Sequence, residues 1–131
     1  MILQPSTNTI RVFTPKWREN DKLDNGEQIK IHYKAITVAI KEKILPREFS
    51  YEKDGNGDMS PVMNFRIDRK KYLDELVTRI DNLGYISEDG VEVKVATVNQ
   101  LFAGPVEFDG LIDEIYAFFN ELVTSRINEK N

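Results

Sequence analysis

The sequence has no cysteine, one histidine, and no apolar run near the roughly 20 residues that cross a bilayer as a helix. Without thiols, disulfides, thiolate nucleophiles, iron–sulfur clusters and Cys-based zinc sites are all excluded. With His32 alone, a multi-histidine metal centre within one chain is excluded too. Glycine is sparse, and Gly84, Gly90, Gly104 and Gly110 each fall at the boundary of an expected element. None of them builds a phosphate-cradling loop. Carboxylates abound, but no spacing singles out a pair for acid–base work, and no serine sits in a nucleophile motif. The start, Met1-Ile2-Leu3-Gln4-Pro5, has neither a basic flank nor an apolar stretch fit for a secretory signal. These features lead to the expectation of a cytoplasmic non-enzyme with no cofactor, no metal and no membrane partner.

What the chain does have is one domain's worth of apolar bulk. Its 131 residues suit a single domain, 1–131, and 7 Phe, 5 Tyr and Trp17 can fill one core. The net charge of −4 argues against general nucleic-acid binding, which relies on neutralising phosphates. That charge is unevenly placed: residues 96–131 hold 2 basic and 6 acidic side chains, while the rest balances.

Periodicity predicts an α+β fold with a small, mostly antiparallel sheet. Thr9–Phe13 and Gln28–Tyr33 alternate, the second with Ile29, Ile31 and Tyr33 on one face and His32 on the solvent side. Residues 62–67 read as a third strand, and 85–86 with 91–95 as a hairpin turning at Asp89-Gly90. Two main helices are expected near 69–82 and 110–126. The first is capped by Asp68, striped by Tyr72, Leu73, Leu76, Val77 and Ile80, and stopped at a left-handed Gly84. One or two short helices should accompany them, around Val98–Phe102 and from Thr37 to Pro46, although the β-branched content of the latter also suits a strand. Residues 18–26 around Trp17 and residues 46–61 read as loops, the second a flexible one, and 127–131 as a frayed tail.

Three constellations each carry two readings. Asp54, Asn56 and Asp58 have the alternate spacing of a calcium loop, but Met59 stands at the sixth position and Phe65 at the twelfth, where Gly and Glu belong. Turn chemistry explains the same run. Arg66, Arg69, Lys70 and Lys71 form the one basic cluster, either a patch for an acidic partner or a solvated face offset by Asp74 and Glu75. In the last helix the apolar arc from Leu111 to Val123 is wide for a helix resting on one sheet face. Either the helix is buried between several elements, or Tyr116, Phe119 and Val123 serve a protein partner, which leaves a homo-oligomer open.

The N-terminal order is a strand, Phe13-Thr14-Pro15-Lys16-Trp17 with Asn20, Leu23, and then Glu27-Gln28-Ile29-Lys30-Ile31. The C-terminal order is a helix, the hairpin at Asp89-Gly90, Leu101-Phe102 with Pro105, and an amphipathic helix. As a pattern of elements covering roughly two-thirds of the chain, this resembles the tail assembly chaperone-type proteins of long-tailed bacteriophages and prophages. The resemblance implies a helper that keeps the aggregation-prone tape measure protein soluble and assists assembly of the tail tube around it. It also implies short and frameshifted longer forms, and Asn128-Glu129-Lys130-Asn131 is compatible with A-rich codons. The partners would be tape measure or tail proteins, held by helix-in-groove capture. The candidate surface is Tyr116, Phe119 and Val123, ringed by Asp113, Glu114 and Glu121. The alternatives are a structural connector or tail component, another small protein-interaction module, and a calcium-binding domain.

Overall fold

The computed structural model describes residues 1–2, 11–44, 49–53, 59–63 and 68–127. Its strands are β1 (Val12–Phe13), β2 (Lys30–Tyr33), β3 (Phe49–Lys53), β4 (Met59–Met63), β5 (Val77–Asp81), β6 (Gly84–Ile86) and β7 (Glu92–Lys94). Its α-helices are α1 (Val38–Ile44), α2 (Arg69–Leu76), α3 (Val98–Phe102) and α4 (Asp109–Ile127). Two 3-10 helices, Trp17–Lys22 and Val106–Phe108, complete the order. The class is α+β, as expected. Its strands form three small antiparallel sheets instead of one: β1-β2-β5, the β3-β4 hairpin and the β6-β7 hairpin.

The alternation in β2 works as the sequence implies. Ile31 pairs with Ile80 of β5, and both side chains are buried, while Lys30 and His32 pair with Asp81 and Arg79 on the other face. Helices cover the buried side. Leu73 and Leu76 of α2, Leu101 of α3, and Leu111, Ile115 and Phe119 of α4 form one continuous core with it.

The helix expected over 69–82 ends at Leu76. Asp68 caps its start by accepting from Lys71 N–H at 3.2 Å, but Val77 is already extended. From there the chain runs as β5, beside β2. Val77, Thr78 and Ile80 are β-branched, and β2 offers a ladder that a helix would forgo. The apolar spacing misleads because Val77 and Ile80 are shielded in either conformation. The left-handed residue is Asn82 (φ 61°), whose side chain donates to Gly26 O and Gln28 O, and not Gly84. At Gly84 the constraint is proximity, since a Cβ would come within 2.9 Å of Val93 O.

The loop expected over 46–61 contains a paired hairpin, in register from Phe49↔Met63 to Lys53↔Met59. Its second strand therefore spans 59–63, where the sequence reading placed one over 62–67; residues 64–67 lie outside the described residues. Pro61 fits as an edge position, because a residue without N–H can still pair by its carbonyl. The loop expected over 18–26 holds for 23–26, whereas Trp17–Lys22 forms 3-10 turns broken by a kink at Arg18 and Glu19. From Thr37 the helical alternative holds, with Thr37 Oγ1 accepting from Ile40 N–H at 3.1 Å. Of the tail 127–131, Ile127 is the last helical residue and 128–131 lie outside the described residues.

Candidate protein-docking surface

The last helix places its wide apolar arc in the core. Phe119 is 0 % exposed and Val123 1 %, so neither forms the partner surface read from the sequence. Phe119 lies edge-on to Tyr33 at 5.2 Å, and the neighbouring Phe118 stacks on Phe13 at 4.1 Å. The arc is wide because α4 meets α2 and the 3-10 turns while its Phe118 and Phe119 reach Phe13 and Tyr33 of the sheet. Tyr116 is half-buried against Tyr72, ring centroids 4.9 Å apart. Burial raises the phenol pKa of both, that of Tyr72 to about 12. The Tyr72 hydroxyl itself has no hydrogen-bond partner among the described residues.

The acidic ring is also partly occupied. Asp113 and Asp109 both accept from the Arg69 guanidinium, the latter at 2.9 Å. Those bonds, led by the one to Asp109, raise the Arg69 pKa further above its ordinary value. Arg69 therefore ties the start of α2 to the start of α4, while Lys70 and Lys71 remain exposed. Glu114 accepts from the backbone N–H of Lys16, and Glu121 is exposed. Arg66, Asp54, Asn56 and Asp58 lie outside the described residues. Among the described residues no group of three or more His, Asp or Glu side chains could hold a metal.

His32 sits on the outward face of β2, as expected, but it is engaged. Its Nε2 meets Asp81 Oδ2 at 2.6 Å, and Arg79 Nε donates to Asp81 Oδ1 at 2.8 Å. The hydrogen bond from His32, then that from Arg79, holds the Asp81 carboxyl below the usual carboxylate range. This knot fastens β2 to β5 across their register.

Unsatisfied apolar surface appears elsewhere, around Trp17. The chain after Pro15 turns through Arg18 (φ 50°) and Glu19 (φ 61°), two consecutive left-handed residues that cost L-amino acids about 1–2 kcal/mol each. What holds them is Asn20, 2 % exposed. Its amide donates to Pro15 O at 2.8 Å and Ile29 O at 3.1 Å, and its Oδ1 accepts from Ile29 N–H at 2.6 Å. The turn thus clamped presents Trp17 edge-on to Phe108 at 5.9 Å, with the Arg18 guanidinium 4.8 Å above the indole. Tyr85 meets the same Phe108 ring at 5.9 Å.

These aromatic residues, with Leu83, Gly84, Ile86 and Pro105, line an open groove of about 460 Å³ whose charged members are Arg18 and Glu107. Gly104 lets Phe108 close its base, since a Cβ there would fall 2.6 Å from the ring. Beside the groove stands Val106, 83 % exposed, and Ile86 on the hairpin is 66 % exposed. Solitary exposed apolar residues are ordinary, but two near an aromatic-floored groove mark a candidate docking surface. From the sequence Trp17 is expected beside a polar loop and as part of the core's apolar bulk, with no place in a partner surface. The signal the sequence carries is the single Trp two residues after Pro15 together with Val106 after Gly104-Pro105.

No protein-family model matches the chain, and no curated protein or solved structure matches it.

Proposed function

We propose that the protein is a non-enzymatic protein-binding helper of the tail assembly chaperone type, working in the cytoplasm of a bacterial host. In this reading it keeps a tape measure protein soluble while tail tube subunits gather. The observation that supports capture of an apolar client is the groove floored by Trp17, Tyr85 and Phe108 beside the exposed Val106. An apolar client would dock there by side chains from one face of an amphipathic helix, the helix-in-groove mode. The docking role thereby passes from Tyr116, Phe119 and Val123 to a surface that is open. The link to phage tails rests on the order of elements, from the Phe13–Trp17 segment to the final helix.

The reading is tested by co-expressing the chain with the tape measure protein encoded beside it. The soluble fraction of the client should rise with the wild-type chain and fall back with Val106→Asp, which keeps its own fold because the side chain is solvent-facing. A client equally insoluble with and without the chain refutes the chaperone reading. Abundant chain in purified particles would make it a tail component instead.

A further inference from the structure

We infer that β6 is a strand-addition site, whose outer edge takes an extended, uncharged segment of the client as a further strand. The inference rests on the Trp17 groove being a docking surface and adds an element to what docks there. The register shows which backbone groups are free. Leu83 O accepts from Val95 N–H at 2.9 Å and Ser87 N–H donates to Val91 O at 2.8 Å, with Tyr85 opposite Val93 between them. In an antiparallel ladder such bonded pairs alternate with residues whose N–H and C=O point away from the partner strand. In β6 those residues are Gly84 and Ile86. Both are exposed, and their backbone groups have no partner among the described residues. The edge they form belongs to the groove, which Gly84, Tyr85 and Ile86 line together with Trp17, Pro105 and Phe108.

Charge complementarity selects the occupant. A donor and an acceptor at Gly84 are followed by a donor and an acceptor at Ile86, about 7 Å further along the edge. An extended chain repeats its own N–H and C=O groups at that spacing. A helix rises about 1.5 Å per residue and uses those groups internally, so the groove floor can hold side chains from a helix but this wall needs a strand. The other edge of the hairpin is closed to such pairing. There β7 carries Glu92 and Lys94, charges of the kind that keep stray strands off, and Ala96 just beyond it already accepts from Ile80 N–H at 3.0 Å. Gly84-Tyr85-Ile86 carries no charge, so an uncharged segment pairs with it without desolvating an ion. In the added strand, the residue opposite Tyr85 shares the face on which Tyr85 meets Phe108, and its side chain enters the aromatic floor. Water serves the edge in the free chain, so the hydrogen bonds set the register of the segment while that apolar side chain supplies most of the affinity.

Nuclear magnetic resonance on the nitrogen-15-labelled full chain tests this, with overlapping peptides of about ten residues, the length of a long strand, covering the tape measure protein encoded beside it. At least one peptide should shift the Gly84 and Ile86 amide signals and slow their exchange with solvent. N-methylation of that peptide should abolish binding at alternate amides, those facing β6, and be tolerated at the amides between them. Ile86→Pro deletes an N–H that the β6–β7 ladder does not use, and an edge strand tolerates proline there. It should weaken the peptide by about tenfold or more, since one bond is lost and the ring blocks the incoming carbonyl. Ile86→Ala keeps the N–H and should weaken it less. Absence of any peptide that protects the Gly84 and Ile86 amides overturns the inference; so does N-methylation without alternation, or an equal loss in the two Ile86 variants. If the client is nonetheless kept soluble by the wild-type chain, the chaperone reading survives that failure. Pairing as described, with a client left insoluble, refutes the chaperone reading alone.

Discussion

Replacing Asn20 probes the device that orients the Trp17 groove. Its side chain satisfies three backbone groups, Pro15 O, Ile29 O and Ile29 N–H, from a site that is 2 % exposed. Asn20→Ala removes all three bonds and leaves those groups in a cavity the size of an amide. At a net 0.5–1.5 kcal/mol for each bond, with the orphaned groups pushing toward the upper end, the loss is about 2–4 kcal/mol. For a chain of this length that corresponds to a melting temperature lower by roughly 7–15 °C. Urea unfolding followed by tryptophan fluorescence measures it and reports on the groove at once, because Trp17 is the single Trp.

Asn20→Asp sharpens the test. The new carboxylate still accepts from Ile29 N–H, but it faces two carbonyl oxygens that the amide had served as donor, so near neutral pH it should be no better than Ala. Burial and those carbonyls raise the introduced acid's pKa in the folded state. A raised folded-state pKa contributes stability below the unfolded value, near 4, that is lost as pH rises through the folded one. The variant should therefore recover relative to Asn20→Ala in acid and fall behind as pH increases. A cost below about 1 kcal/mol for Asn20→Ala would mean that water serves these groups equally well, and the clamp argument would be wrong.

Two further outcomes follow from groups already placed. Tyr72→Phe deletes a buried hydroxyl with no partner among the described residues, so stability should hold or rise by up to about 1 kcal/mol in urea titration; a loss of that size would reveal a partner for the oxygen. Asp81, its pKa depressed first by the hydrogen bond from His32 and then by Arg79, contributes stability above the unfolded pKa near 4 that is lost as pH falls through its folded value. Asp81→Asn should thus flatten the acid limb of the urea midpoint against pH, by a modest amount because the pair is part-exposed; an unchanged limb refutes the role assigned to the knot.

The parts of the fold legible in the sequence are those whose signals are local. Ile29, Ile31 and Tyr33 alternate, Asp68 caps, Asp89-Gly90 turns, and Thr97 with Gln100 closes a capping box that starts α3 where the helix was expected. What stayed hidden depends on partners distant in sequence. Val77–Asp81 carries helical apolar spacing and β-branched residues together, and only the ladder offered by β2 decides between them. The hairpin of β3 and β4 was obscured by Pro61, which reads as a breaker until one sees that an edge strand tolerates it. His32 was rightly put on the outward face, but its engagement with Asp81 required the register.

The same logic explains why the partner surface moved. An apolar arc on a helix reports how many neighbours the helix has, and α4 has enough to bury Leu111, Ile115, Phe119 and Val123 completely. Surplus apolar surface has to be sought where local structure prevents a side chain from turning inward. Val106 begins a 3-10 turn whose Phe108 takes the inward position, locked there by Gly104 and by the rings of Trp17 and Tyr85. With Phe108 fixed inside, the short turn leaves Val106 no inward path, and valine is exposed as a consequence of how the groove is built. A polar residue at 106 would cost the fold nothing and would be better hydrated. Next to Pro105 and Glu107 of the Trp17 groove, Val106 adds exposed apolar surface to the face on which the proposed docking rests.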